Sequence, residues 1–217
     1  MALTALPSWK LLLYNGALGV LGEDKITSTE DRNPRRALDN VWDTGALDFV
    51  LESGEWTFAV RTQRIDYNPA IEPDFGFQRA FDMPDDCLRL VALSSDEYFL
   101  SRFTDRSYHC EGRLWYSDID TIYARFVSND AAYGADQSLW SPAFREFLEY
   151  HLAYKSCKRI TRKEPDDRME RKYRRMLSAA KGRDAMNQGT KIMPLGSWAG
   201  ARFNRKRYYS ETTGGEV

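Results

Sequence analysis

Histidine is almost missing from this chain and cysteine is scarce, with two and three residues among 217. Each shortage removes a class of chemistry. HxxxH, HExxH and clustered Cys/His spacings are absent, so the sequence offers no zinc site. Cys87, Cys110 and Cys157 are scattered and odd in number, which suits neither a disulfide framework nor paired CxxC spacing and fits a reducing compartment, the cytoplasm. His109 adjoins Cys110, but neighbours on a strand point to opposite faces, so the two do not make a base and a nucleophile. His151 falls on the apolar arc of a helical stretch, where a packed, hydrogen-bonded histidine is expected instead of a ligand. No apolar run is long enough to span a bilayer. The stretch LLLYNGALGVL at 11–21 imitates a signal-peptide core. However, Lys10 is the only basic residue ahead of it, Tyr14-Asn15-Gly16 interrupts it, and no clean small-residue cleavage site follows. Its glycines lack the Lys-Ser/Thr of a phosphate loop and follow no strand, so they read as helix breakers. Asp85-Asp86 and Asp118/Asp120 lie in turn-rich contexts that favour aspartate for turn chemistry, so neither these pairs nor Cys110 is expected to catalyse a reaction, and no cofactor is expected.

What the chain does contain is enough apolar material for a packed core, 42% hydrophobic and 13% aromatic, in one or two domains. Its net charge of only −1 hides a strong segregation. Residues 1–154 hold 14 Lys+Arg against 25 Asp+Glu, a net of −11, and residues 155–217 hold 17 against 7, a net of +10. A basic end of this kind suits nucleic acid or an acidic protein neighbour, including another copy of the chain.

Apolar spacing predicts four helices. Trp9, Leu12, Leu13, Leu18 and Leu21 mark the first, stopped by Gly22. Asn33-Pro34 reads as cap and first position of the second, whose stripe runs to Gly54 with a bend near Gly45. Ser141-Pro142 repeats that start for the third, lined by Phe144, Phe147, Leu148, Leu152 and Tyr154. Glu164-Pro165-Asp166-Asp167 ends it and opens the fourth, with Met169, Tyr173, Met176, Leu177 and Ala180 as its stripe. Between these, WTFAVRTQRIDY alternates as a half-buried strand, with Trp56 and Phe58 on one face, and further strands are predicted at 88–93, 108–115 and 121–128. The expected fold is α+β but mainly α: a four-helix bundle (1–54 and 141–187) with a small antiparallel β insertion (55–140). Trp56, Phe58, Phe144, Phe147 and Leu148 are its structural core. Beyond about Gly189 the apolar residues Ile192, Leu195, Trp198, Phe203, Tyr208 and Tyr209 stand apart without a period, so 188–217 reads as an extended docking arm that cannot build its own core.

The segment KRITRKEPDDRMERKYRRM concentrates the positive charge. Glu164/Arg168, Asp167/Arg171 and Glu170/Arg174 have the i,i+4 spacing of exposed helix pairs worth about 0.3 kcal/mol each. Lys158, Arg159, Arg162, Lys163, Lys172 and Arg175 are left over as candidate contacts to DNA phosphates or to an adjoining subunit, without the means to read base sequence.

In order and spacing, several motifs resemble the tail tubular protein A family, the head-to-tail adaptors of short-tailed bacteriophages. They are the Leu21-Gly22-Glu23 turn, Ala37-Leu38, Gly54-x-Trp56-x-Phe58 and the acidic Pro-x-x-Cys-Leu-Arg segment at 84–89. The resemblance covers residues 11–93 best, and the later helices agree only in kind. It implies a non-enzymatic virion protein of the tail or neck, assembled in the host cytoplasm. It further implies a ring of roughly twelve copies joining the portal protein to the tail nozzle protein, with DNA passing through the lumen during ejection. The carboxyl-terminal arm would then grip the portal, though its basic stretch RFNRKR departs from the family pattern. The alternative is a nucleic-acid-binding protein that contacts phosphates through the basic fourth helix and tail, without sequence specificity.

Overall fold

A computed structural model describes residues 5–99 and 107–187 of the chain. Among these residues the helices are α1 (Ser8–Leu21), α2 (Asn33–Asp43), α3 (Ala46–Glu52), α4 (Pro142–Thr161) and α5 (Asp167–Asn187). The strands are β1 (Val60–Asp66), β2 (Arg79–Asp82), β3 (Cys87–Ser94), β4 (His109–Glu111), β5 (Leu114–Ser117) and β6 (Thr121–Ser128). The result is an α+β fold with five helices and two three-stranded antiparallel sheets, ordered β1-β6-β3 and β2-β5-β4. This corrects the expected four-helix bundle with a small β insertion.

The physical reasons are local. Gly45 takes φ 90°, a left-handed conformation that glycine adopts freely, and its carbonyl starts a new helix by accepting from Phe49 N–H at 3.0 Å. The second predicted helix is therefore split, not bent. α2 begins one residue earlier than the Asn33 cap implies, with Arg32 in the cap position and no side-chain cap. α1 runs unbroken through Gly16 and Gly19 and ends only at Gly22, in the left-handed conformation.

Trp56 and Phe58 are not on a strand. They occupy a turn before β1 in which the Trp56 carbonyl accepts from Ala59 and Val60 N–H at 2.9 and 3.1 Å. β2 is an element the sequence pattern does not reveal, since four residues with two adjacent buried side chains, Ala80 and Phe81, have no alternation to read. The β4–β5 hairpin turns at Gly112 and Arg113, both at positive φ, the pair of conformations that a two-residue turn needs to match strand twist.

Two apolar cores result. The helical one is organised by α4, which packs against α1, α2, α3 and α5. There Phe144, Phe147 and Leu148 are fully buried, the Trp56 and Phe58 rings each lie 4.9 Å from that of Phe144, and Trp56 Nε1 donates to the Val50 carbonyl at 3.0 Å. The second core lies among the strands: Phe81 and Trp115 of one sheet pack with Leu93, Ile122, Ala124 and Phe126 of the other. β6 joins the two cores, because Val127 near its end packs into the helical cluster.

Candidate interaction surface on α4 and α5

The basic segment is carried by the last turns of α4, the following turn and α5. Ser141 Oγ accepts from Phe144 N–H at 3.2 Å and Pro142 follows it, so the predicted start of α4 is borne out. At its other end Thr161 Oγ1 donates to the Cys157 carbonyl at 2.8 Å and accepts from Lys163 N–H at 3.2 Å, while Arg162 adopts φ 60° and closes the helix. Asp166 Oδ1 then accepts from Met169 N–H at 2.7 Å and caps α5, with Asp167 and Glu170 in its first turn complementing the helix dipole.

The inward side of α5 is fixed by apolar and polar contacts. Met169, Tyr173, Met176, Leu177 and Ala180 pack on the helical core, as their spacing predicts. Tyr173 OH is 3.0 Å from His151 Nδ1, and its ring stacks on Tyr154 at 5.1 Å. His151 is 1% exposed; burial, with Lys155 nearby, lowers its pKa to about 4 and keeps the ring neutral at physiological pH. It is a packed core histidine. Near the end of α5, buried Asp184 accepts from the backbone N–H and the hydroxyl of Thr57 at 2.8 and 2.9 Å, across 127 residues of sequence.

The outward side is cationic. Lys158, Arg159, Arg162, Lys163, Lys172 and Arg175 are all exposed. Two of them do have partners within the chain: Lys158 pairs with Glu164, and the Lys172 ammonium lies 5.1 Å from the centre of the Tyr150 ring. Of the three predicted i,i+4 pairs only Glu170–Arg174 forms. α5 begins at Asp167, so Glu164 is outside the helix and turns to Lys158 instead of Arg168, and Asp167 makes no ion pair with Arg171.

Arg183, which the charge pattern does not single out, joins Lys172 and Arg175 around a groove of about 320 Å³ floored by Ala143, Ala179 and Ala180, with Glu146 on its rim. A wider recess of about 600 Å³ at the α4–α5 turn sets Lys163, Arg168 and Lys172 against Glu23, Glu164 and Asp166, so its charges offset one another. The unbalanced positive field therefore belongs to the exposed side of α5, where phosphate or carboxylate groups would be attracted.

The other carboxylates considered from sequence have structural partners. Asp85 pairs with Arg113, Asp86 with Arg61 and Asp120 with Arg79, and Asp118 accepts from Gln78 N–H. Among the described residues no group of three or more His, Cys, Asp or Glu side chains is placed to hold a metal, and no helix is long and apolar enough to cross a membrane. Ile192, Leu195, Trp198, Phe203, Tyr208 and Tyr209 lie outside the described residues. Comparison with known proteins gave no match, either to a family model or to a curated sequence.

Proposed function

We propose that this protein is a non-enzymatic head-to-tail adaptor of a short-tailed bacteriophage, closing into a ring of roughly twelve copies between portal and tail nozzle and surrounding the DNA channel. In this reading the helical part forms the ring wall, the strands project toward the nozzle, and residues 188–217 dock on the portal. The virion tail or neck is its destination and the host cytoplasm its place of assembly. The observation that carries the reading is the exposed side of α5, whose Arg168, Arg171, Arg175, Lys181 and Arg183 have no carboxylate partner among the described residues. The acid excess lies elsewhere in the same chain, in residues 1–154. A heterologous contact, repeated around a closed ring, brings one face of a subunit against a different face of the next and lets these charges meet.

Electron microscopy of the purified protein, alone and mixed with portal protein, tests the proposal. Rings in either sample support it, and a subunit that stays monomeric in both refutes it. Truncation before Gly189 is expected to leave a folded protein that no longer joins the portal. The same exposed cations favour a second reading, a phosphate-contacting nucleic-acid-binding protein. Duplex binding by the monomer that weakens steeply with salt would select that reading.

A further inference from the structure

Beside α1 and the first half of α4 lies a second cavity of about 320 Å³, remote in character from the cationic groove. Its walls are aromatic and apolar: Trp9, Leu12 and Leu13 come from α1, and Trp140 precedes α4. The two indole rings stand 6.0 Å apart at 89°. Leu12 at this cavity is 71% exposed and Leu139, next to Trp140, is 46% exposed, so the opening carries apolar surface turned to solvent. Gln137, Ser138 and Arg145 complete the wall, and its one carboxylate is Glu149.

Glu149 is unusual among the carboxylates of the fold. Asp39 receives Tyr14, Lys10 and Arg35; Asp86 receives Arg61 and Ser128; Asp184 receives Thr57. Half-buried Glu149 has no hydrogen bond and no ion pair among the described residues. Arg145, one helical turn earlier and also on the cavity wall, donates to the Gln137 carbonyl at 3.1 Å instead. Burial, reinforced by the charge of Glu146, raises the Glu149 pKa. The carboxylate lies against Gly16 of α1, where a Cβ would press on it and oblige this flexible side chain to turn aside. A half-buried carboxylate that still reaches solvent and has no partner among the described residues gains from an arriving cation.

We propose that this cavity takes one arginine or lysine side chain from a partner chain, its cation against the Glu149 carboxylate and its aliphatic stem against Trp9, Trp140 and Leu12. The apolar walls suit the methylene stem of such a side chain. The volume is at the lower end of ligand-pocket size and matches a single long side chain better than a drug-sized molecule. Glu149 is the one carboxylate on the wall, too few anionic ligands for a metal ion to be the expected occupant. This site does not depend on the adaptor reading and would serve any partner that presents a basic residue.

The test is a tryptophan-fluorescence titration of the full chain with acetyl-Gly-Gly-Arg-Gly-Gly-amide and with the same peptide carrying citrulline, which keeps the shape and removes the charge. The arginine peptide is expected to bind saturably and at least about tenfold more tightly than the citrulline peptide. Glu149→Gln is expected to abolish that difference while melting at or above the wild-type temperature, because it replaces an unpaired carboxylate by a neutral amide of the same size. As a second readout, carbon-13 NMR should show the Glu149 titration moving toward lower pH as arginine peptide is added. Equal binding of the two peptides, unchanged binding by Glu149→Gln, or no saturable binding in the millimolar range would each overturn the proposal.

Discussion

Along α5, the side turned toward α4 and the side turned toward solvent are made of different residue types and held by different forces. On the inward side Tyr173 meets His151, Asp184 meets Thr57, and Met169, Met176, Leu177 and Ala180 pack against the helical core. On the outward side Arg174 has Glu170 and Lys172 has the Tyr150 ring, but Arg168, Arg171, Arg175, Lys181 and Arg183 have no ion-pair partner among the described residues. The contrast teaches that the positive charge is not needed to hold the helix in place. Its position is secured from behind, which leaves the cations available to something beyond the described residues.

Breaking the inward side is expected to give the largest effects. Trp56 belongs to the turn that receives the end of α5, is 1% exposed and donates to the Val50 carbonyl. Trp56→Ala is expected to cost roughly 3–5 kcal/mol in urea unfolding. Next comes pH. His151 is held at a pKa of about 4 in the folded chain against 6.5 when unfolded, so the unfolded state binds more protons between those values. Stability is therefore untouched above pH 6.5 and falls as pH drops toward 4, by up to about 3 kcal/mol from this residue. Unfolding midpoints measured from pH 7 to 4 check it, and the slope in this window is expected to flatten in His151→Gln.

Asp184→Ala strands the Thr57 N–H and is expected to cost about 1–3 kcal/mol, together with faster hydrogen exchange in the last turns of α5. The smallest effect on folding is expected on the outward side. Replacing Arg168, Arg171 and Arg175 together by Gln is expected to change stability by no more than about 0.5 kcal/mol. The same triple variant is expected to lose ring formation, read by light scattering. A large loss of stability in it would erase the distinction between the two sides.

Much of this organisation is legible in the sequence, for identifiable reasons. Ser141-Pro142, the stripe of α5 and the alternation of β6 are local patterns that tertiary contacts do not override. Where local pattern and backbone part company, the reading fails. Trp56 and Phe58 alternate like strand residues, yet both turn toward Phe144 from a loop. Gly45 supplies a helix break that an apolar stripe continues across, and β2 is too short to show a period. The cationic residues were findable from charge alone, but their pairing was not, because Glu164 has the right spacing on the wrong side of a helix boundary. The Glu149 cavity depends on contact between helices far apart in the chain; its one local clue is a glycine inside the first helix.

The clasp between Thr57 and Asp184 also has a mechanical meaning. Tension applied at Asn187 can unwind α5 only back to Asp184, where both hydrogen bonds to Thr57 must rupture before it goes further. The pull is passed instead to the turn ahead of β1 and to the tryptophan wedged behind it. A strain at the end of the helix is thus shared by the whole helical core, as a rivet spreads load through a plate.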